Sequence, residues 1–227
     1  MAGDKRGTPE RALADLEKLF KSYQSSPEKK ANKKATLLSY WLSDYAGMLK
    51  QEETFLPNKL KRYKRGEIVK VNLGYNIGNE EGGLHYAVVL DKQNSLYSGT
   101  ITILPLSSKK PSTVIHKYIL DLGDEIYRKL RCKAQKTFEE CAAKMEITPS
   151  KENNALFLSL DLKEFKKVLD EIDGMKLGSI ALVSQITTVS KIRIYSPLRT
   201  TDALSSIVLS PDSLNKIDNK IKELYMY

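Results

Sequence analysis

The chain has 227 residues, 41% apolar and 29% charged, which excludes a wholly disordered protein and leaves room for one large domain or a small one with additions. Its formal net charge is +9, and residues 1–65 carry 15 Lys and Arg against 8 Asp and Glu. A basic N-terminal third draws phosphate backbones or acidic partners, although a solvated helix face and linker accounts for the same charge.

From Thr8 to about Glu53 two helices are expected. Thr8 caps the first, Pro9 takes its first position, and Leu13, Leu16, Leu19 and Phe20 form an apolar stripe. Ser25-Ser26-Pro27-Glu28 interrupts the pattern before Leu37, Leu38, Trp41, Leu42, Tyr45, Met48 and Leu49 mark a second face. That face needs a partner, as a docked appendage or as an interaction surface.

Pro57 to Arg65 is a basic connector, in which Tyr63 among lysines and arginines could serve as a stacking platform along a nucleic-acid backbone. Beyond Gly66 the period changes to two: strands are expected at Ile68–Leu73, Ala87–Leu90 and Thr100–Leu106. Asn76 to Gly83, with three glycines, joins the first two and permits close backbone approach to a ligand.

Tyr118 to Met145 has apolar residues at steps of about four, through Leu122, Ile126, Leu130, Ala134, Phe138 and Cys141, and predicts one long helix. Ala155 to Leu160 then predicts a strand, with a helix from Asp161 to Gly174. Strands are expected again at Ser179–Ile186 and Lys191–Tyr195, and Ser210-Pro211 opens a final helix through Leu214, Ile217, Ile221 and Leu224.

Cys132 and Cys141 fall in the long helical pattern about 13 Å apart, beyond disulfide reach, and are expected as free thiols. No His or Cys stands at ligand spacing, so no metal or cofactor is assigned. No apolar run spans a bilayer, and Met1-Ala2-Gly3-Asp4-Lys5 lacks the core of a signal peptide. The expected location is cytoplasmic, without membrane contact.

Function is legible only through a resemblance. Lys64-Arg65-Gly66-Glu67-Ile68-Val69-Lys70-Val71-Asn72-Leu73 resembles the opening strand of PemK/MazF-like toxins. The stretch from Asn76 through Glu80-Glu81-Gly82-Gly83-Leu84-His85-Tyr86 to Leu90 is similar to that family's glycine-rich loop and second strand. Tyr97-Ser98-Gly99-Thr100 to Leu104-Pro105-Leu106-Ser107 resembles its third strand, and Gly178 to Lys191, with Gln185 at a Glu-Gln pair, a later segment.

The resemblance implies an α+β protein built on an SH3-like or CcdB-like antiparallel β-barrel. In this chain the barrel domain would span residues 59–227, with a helical N-terminal extension over 1–58, a helical insertion at about 112–176 and a C-terminal helix at about 211–225. It further implies a homodimer that cuts single-stranded RNA without metal, by 2′-hydroxyl attack on the adjacent phosphate. A small acidic antitoxin protein would be its partner.

The family's Arg after the glycine pair and its Thr ending the third strand fall here on His85 and Ser107, the expected catalytic residues. Ser107 keeps a hydroxyl for a phosphate oxygen, whereas His85 exchanges a fixed fork of charge for a group that titrates near pH 6.5. Expected RNA contacts are Asn79, Glu80, Gly82 and Gly83 in the loop, charge from Lys109, Lys110 or Arg193, and Gln185 for base reading. His116 matches nothing and is expected at the surface. Because the Arg is missing, a barrel without catalysis that regulates by binding RNA or protein is the alternative, and a topoisomerase poison a third.

Overall fold

A computed structural model of the chain describes residues 7–147, 151–175 and 178–226, with backbone alone at 141, 144–147 and 151–161. The chain divides into two units, Met1–Glu53 and Thr54–Tyr227.

The first unit holds α1 (Pro9–Gln24) and α2 (Lys29–Glu52). The Thr8 hydroxyl accepts the Arg11 N–H at 3.3 Å, satisfying one of the orphan donors of the first turn, and Pro9 sits where its missing N–H is harmless. α1 buries no residue and α2 buries Ala35 and Leu38, while Leu13, Leu37, Tyr40, Tyr45 and Leu49 stay exposed.

The second unit is built on seven antiparallel strands: β1 (Ile68–Asn72), β2 (Leu84–Val89), β3 (Thr100–Ser108), β4 (Ile119–Gly123), β5 (Ser179–Leu182), β6 (Thr187–Ser190) and β7 (Ile194–Ser196). They run in the order β4-β5-β3-β2-β1-β7, with β6 also on β3. Three helices complete it: α3 (Glu125–Ile147), α4 (Lys151–Gly174) and α5 (Pro211–Tyr225).

The class is α+β, but the expected closed barrel is not formed. β4 and β7 end the path without pairing to each other. The reason lies in β3, whose first half pairs with β6 and whose last residues pair with β5. β4 then adds to β5 and carries the sheet outward.

Alternation along the strands feeds two cores, as the two-residue side-chain period requires. Ile68, Val88 and Leu104 join a cluster with Ile126, Leu130, Val168, Leu204 and Ile217, drawn from the helices and the last loop. Val69, Val71, Ala87, Val89, Ile101 and Ile103 point the other way, onto Tyr63 and Ile194.

Buried polar side chains fix the helices. Glu125 at the start of α3 accepts from Ser210 N–H and Ser213 Oγ, each at 2.5 Å, and so ties α3 to the cap of α5. Lys133 Nζ donates to the carbonyls of Asp202, Ala203 and Ser205 at 2.8–3.1 Å.

Four sequence expectations need correction, one being the Ser179–Ile186 strand, which ends at Leu182 where a 3-10 turn, Val183–Gln185, begins. Tyr118 to Met145 is not one helix: its first turn is strand β4, because Gly123 at φ +62° breaks the pattern and residues 119–121 pair with β5. Edge pairing overrides the apolar steps of four. The expected strand at Ala155–Leu160 lies inside α4, a short apolar run being compatible with either element. Lys191–Tyr195 opens as a 3-10 turn, Lys191–Arg193, and the strand character sits in β6 and β7 on either side.

Candidate active site

β2 and β3 pair only from Ala87 opposite Pro105 to Val89 opposite Ile103. Pro105 has no N–H to extend the ladder, and from Leu106 onward β3 pairs with β5 instead. The two strands therefore part at the start of β2, and the side chain of His85 fills the gap. Its Nδ1 lies 3.0 Å from the Leu106 carbonyl and its Nε2 2.9 Å from Glu81 Oε1.

A ring that faces a carbonyl oxygen on one side and a carboxylate on the other can donate from both nitrogens only in its protonated form, which these two contacts favour. The Glu81 hydrogen bond, first, and then the Leu106 carbonyl raise the His85 pKa above its ordinary value, against the opposing pull of burial. The surroundings of His85 thus favour its cationic form.

Glu81 belongs to a loop bound to itself and to its neighbours. Asn76 Nδ2 donates to the Glu81 carbonyl at 2.7 Å, and Gly83 N–H donates to the Gly74 carbonyl at 2.6 Å. At Gly82 a Cβ would stand 2.8 Å from the Gly74 oxygen, so only glycine fits this close approach. Gln185 spans the loop with both ends of its amide: Oε1 accepts the Glu81 N–H at 3.3 Å and Nε2 donates to the Asn79 carbonyl at 3.2 Å.

Two cavities flank this arrangement. The smaller, about 240 Å³, is lined by Lys70, His85, Tyr86 and Ser107, with Gly174 and Met175 at the end of α4. The larger, about 620 Å³, is lined by Glu80, Glu81, Gln185, Thr188 and Arg193 among others. Glu81 joins them, since its side chain holds His85 of the first while its backbone is held by Gln185 of the second.

The structure thus gathers His85 with Ser107 on one cavity and Glu80 with Gln185 on the other, with Asn79 bonded to Gln185; Gly82 and Gly83 line neither cavity. Arg193 lines the larger cavity and donates to the Leu73 carbonyl at 3.0 Å. Lys109 and Lys110 line neither cavity. Lys109 instead pairs with Asp121 of β4 at 2.5 Å, an ion pair that pulls the Asp121 carboxyl below its usual range. Lys110 is exposed, as is His116, whose ring meets Tyr118 edge-on at 6.0 Å. Cys132 is a free, exposed thiol; the side chain of Cys141 lies outside the described residues.

The connector reading also changes. Tyr63 is 1% exposed, its hydroxyl donating to the Pro197 carbonyl at 2.7 Å, so its ring is core and no stacking platform. Lys61 is spent in a buried pair with Glu67 at 2.5 Å, and Arg65 bonds Asp218 and the Leu90 carbonyl. Lys61, Tyr63 and Arg65 are structural because their polar ends find partners beside the strands and on α5, whereas Arg62 and Lys64 stay exposed.

Sequence reasoning missed Glu81, Lys70, Tyr86 and Glu171. Lys70 Nζ lies 3.0 Å from Glu171 Oε1 of α4, and the Tyr86 hydroxyl donates to the same oxygen. Lys70 was detectable in principle as a charge interrupting the buried run of β1. Glu171 was not, because its partners are 101 and 85 residues away.

His85 and the Ser107 hydroxyl stand on one cavity where the sheet splits, beside a polar cleft. In comparison with known families, residues 64–144 match the PemK-like, MazF-like toxins of type II toxin-antitoxin systems. The matched span contains β1 to β4 with His85 and Ser107, while Gln185, Arg193 and all of α4 lie beyond it. No curated protein matches the chain. No helix among the described residues is long and apolar enough to cross a membrane.

Proposed function

We propose that this chain is an endoribonuclease, the toxin of a toxin-antitoxin pair, that cuts single-stranded RNA without a metal ion. The 2′-oxygen forms a bond to the adjacent phosphorus and the bond to the 5′-oxygen breaks, leaving a 2′,3′-cyclic phosphate and a 5′-hydroxyl. His85, as an imidazolium, gives its proton to the departing 5′-oxygen, and the Glu81 carboxylate receives the proton of the 2′-hydroxyl. Ser107 donates to a non-bridging oxygen as charge builds on the phosphorane. Glu80, Gln185 and Arg193 contact the strand along the larger cavity, and Asn79, Gly82 and Gly83 of the same loop contact it beyond the cavity. The protein acts as a homodimer in the cytoplasm, and a small acidic antitoxin restrains it.

The observation that carries this reading is the doubly bonded His85 beside Ser107, inside the span that matches the toxin family. Incubating the purified protein with a long RNA in EDTA tests it. Cleavage to cyclic-phosphate ends that His85→Ala abolishes is expected; no cleavage by the natural chain, or cleavage indifferent to His85→Ala, overturns it.

One observation favours a second reading, an RNA- or protein-binding regulator without catalysis. Both ring nitrogens of His85 are engaged, and the nearby Lys70 is already paired with Glu171. RNA that binds with steep salt dependence but stays intact is the outcome it expects.

A further inference from the structure

We propose that Lys70 and Tyr86 form a phosphodiester-binding subsite beside His85 and Ser107, and that the carboxylate of Glu171 occupies it until RNA displaces that group. The ligand class rests on the RNA-cutting reading above.

Lys70 of β1 stands directly opposite Tyr86 of β2 in the ladder, and opposed residues of an antiparallel pair share one face. Their polar ends converge on a single atom, Glu171 Oε1. Lys70 Nζ also lies 5.1 Å from the centre of the Tyr86 ring, so the ammonium is held over the phenol as well as against the carboxylate. An ammonium and a phenol aimed at one anionic oxygen would serve equally for a non-bridging oxygen of a phosphate. Burial first, and then the Glu171 hydrogen bond, push the Tyr86 pKa up, which keeps its hydroxyl a donor.

Both residues line the cavity that holds His85 and Ser107, so the subsite adjoins the proposed reacting phosphate. At about 240 Å³ the space falls below the roughly 300–1,000 Å³ of pockets that enclose whole small molecules. A backbone fragment, phosphate with part of its sugar, is the ligand that size suits.

Charge explains why the subsite is closed in the free chain. The cavity has two cationic groups, His85 and Lys70, and each faces a carboxylate, Glu81 and Glu171. A phosphate entering a neutralised cavity must displace one of the two. Glu81 is anchored through its backbone by Asn76 and Gln185. Glu171 is held by its side-chain bonds to the pair itself and by the packing of α4, through Val168 and the following Met175, on the sheet. Glu171 is the group that leaves.

The test measures binding of an uncleavable 2′-O-methyl oligoribonucleotide by fluorescence anisotropy at several salt concentrations, with cleavage of ordinary RNA and melting temperature followed in parallel. Glu171→Gln is expected to tighten binding on the order of tenfold, the factor that one withdrawn competing charge contact of ordinary strength produces. Lys70→Met should cancel that gain in the double variant. In the natural background it should reduce the salt slope by about 0.7, one phosphate contact on a single strand. Tyr86→Phe should lose part of the gain while keeping the ring.

If Glu171→Gln lowers the melting temperature and leaves binding unchanged or weaker, Glu171 is only a bolt for α4 and the subsite is wrong. Should Glu171→Gln not fold, an unchanged salt slope in Lys70→Met overturns the proposal on its own. Tighter binding through Lys70 with no cleavage by any variant sinks the RNA-cutting reading and leaves the subsite standing. Cleavage by the natural chain with no response at Lys70 does the reverse.

Discussion

The two cavities on either side of Glu81 differ in size and in how their charge is disposed. The smaller is compact and electrically balanced, with His85 against Glu81 and Lys70 against Glu171. The larger is polar; its Gln185 holds backbone groups of the loop, and its Arg193 donates to the Leu73 carbonyl. A balanced, partly buried pair of ion pairs suits chemistry that begins when one partner is exchanged, whereas a wide surface of amide and hydroxyl groups suits graded recognition of a strand. On the proposed function, the difference divides chemistry and recognition between the cavities, with one loop residue, Glu81, in common.

The sharpest way to break that division is at His85. His85→Ala should cut RNA cleavage by about 10²–10⁴, the usual contribution of a positioned acid, in single-turnover assays. It also strands the Leu106 carbonyl and the Glu81 carboxylate, so the melting curve should show a loss of about 1–3 kcal/mol. Ser107→Ala should follow, at about 10²–10³ in rate for one lost phosphate donor, while Ser107→Thr keeps activity. If Ser107→Ala matches the natural chain, the smaller cavity does not hold the reacting phosphate.

Glu81 sharpens the comparison through pH. Because the folded chain raises the His85 pKa, the imidazolium stabilises the fold fully below the ordinary value near 6.5. That stability is lost as pH rises through the higher folded value. Melting temperature should therefore fall across that window, and Glu81→Gln, which removes the main cause of the shift, should flatten the fall. An NMR titration of the His85 ring should show its midpoint lower in Glu81→Gln; an unmoved midpoint would mean that Glu81 does not set the charge.

The smallest effect is expected in the larger cavity. Gln185→Ala removes two neutral hydrogen bonds to the loop, each worth about 1 kcal/mol net, and should raise KM several-fold with little change in kcat. A loss in kcat as large as that of His85→Ala would erase the distinction between the two cavities.

What the chain declares locally, the sequence determined by itself. Thr8-Pro9 and Ser210-Pro211 mark helix starts because a cap needs only its own next turn, and β1, β2 and β3 follow from short-range alternation. That His85 and Ser107 share one cavity was foreshadowed by the motif that carries both. Tertiary structure decided whatever depends on a distant partner. β4 is a strand because β5 is beside it, and Tyr63 is core because Pro197 takes its hydroxyl. Ion pairs with Asp121 and Glu67 remove Lys109 and Lys61 from service as free charge. Above all, the meeting of Lys70, Tyr86 and Glu171 could only be seen once α4 was laid on the sheet, since hydrogen bonds between side chains scores of residues apart leave no periodicity in the chain.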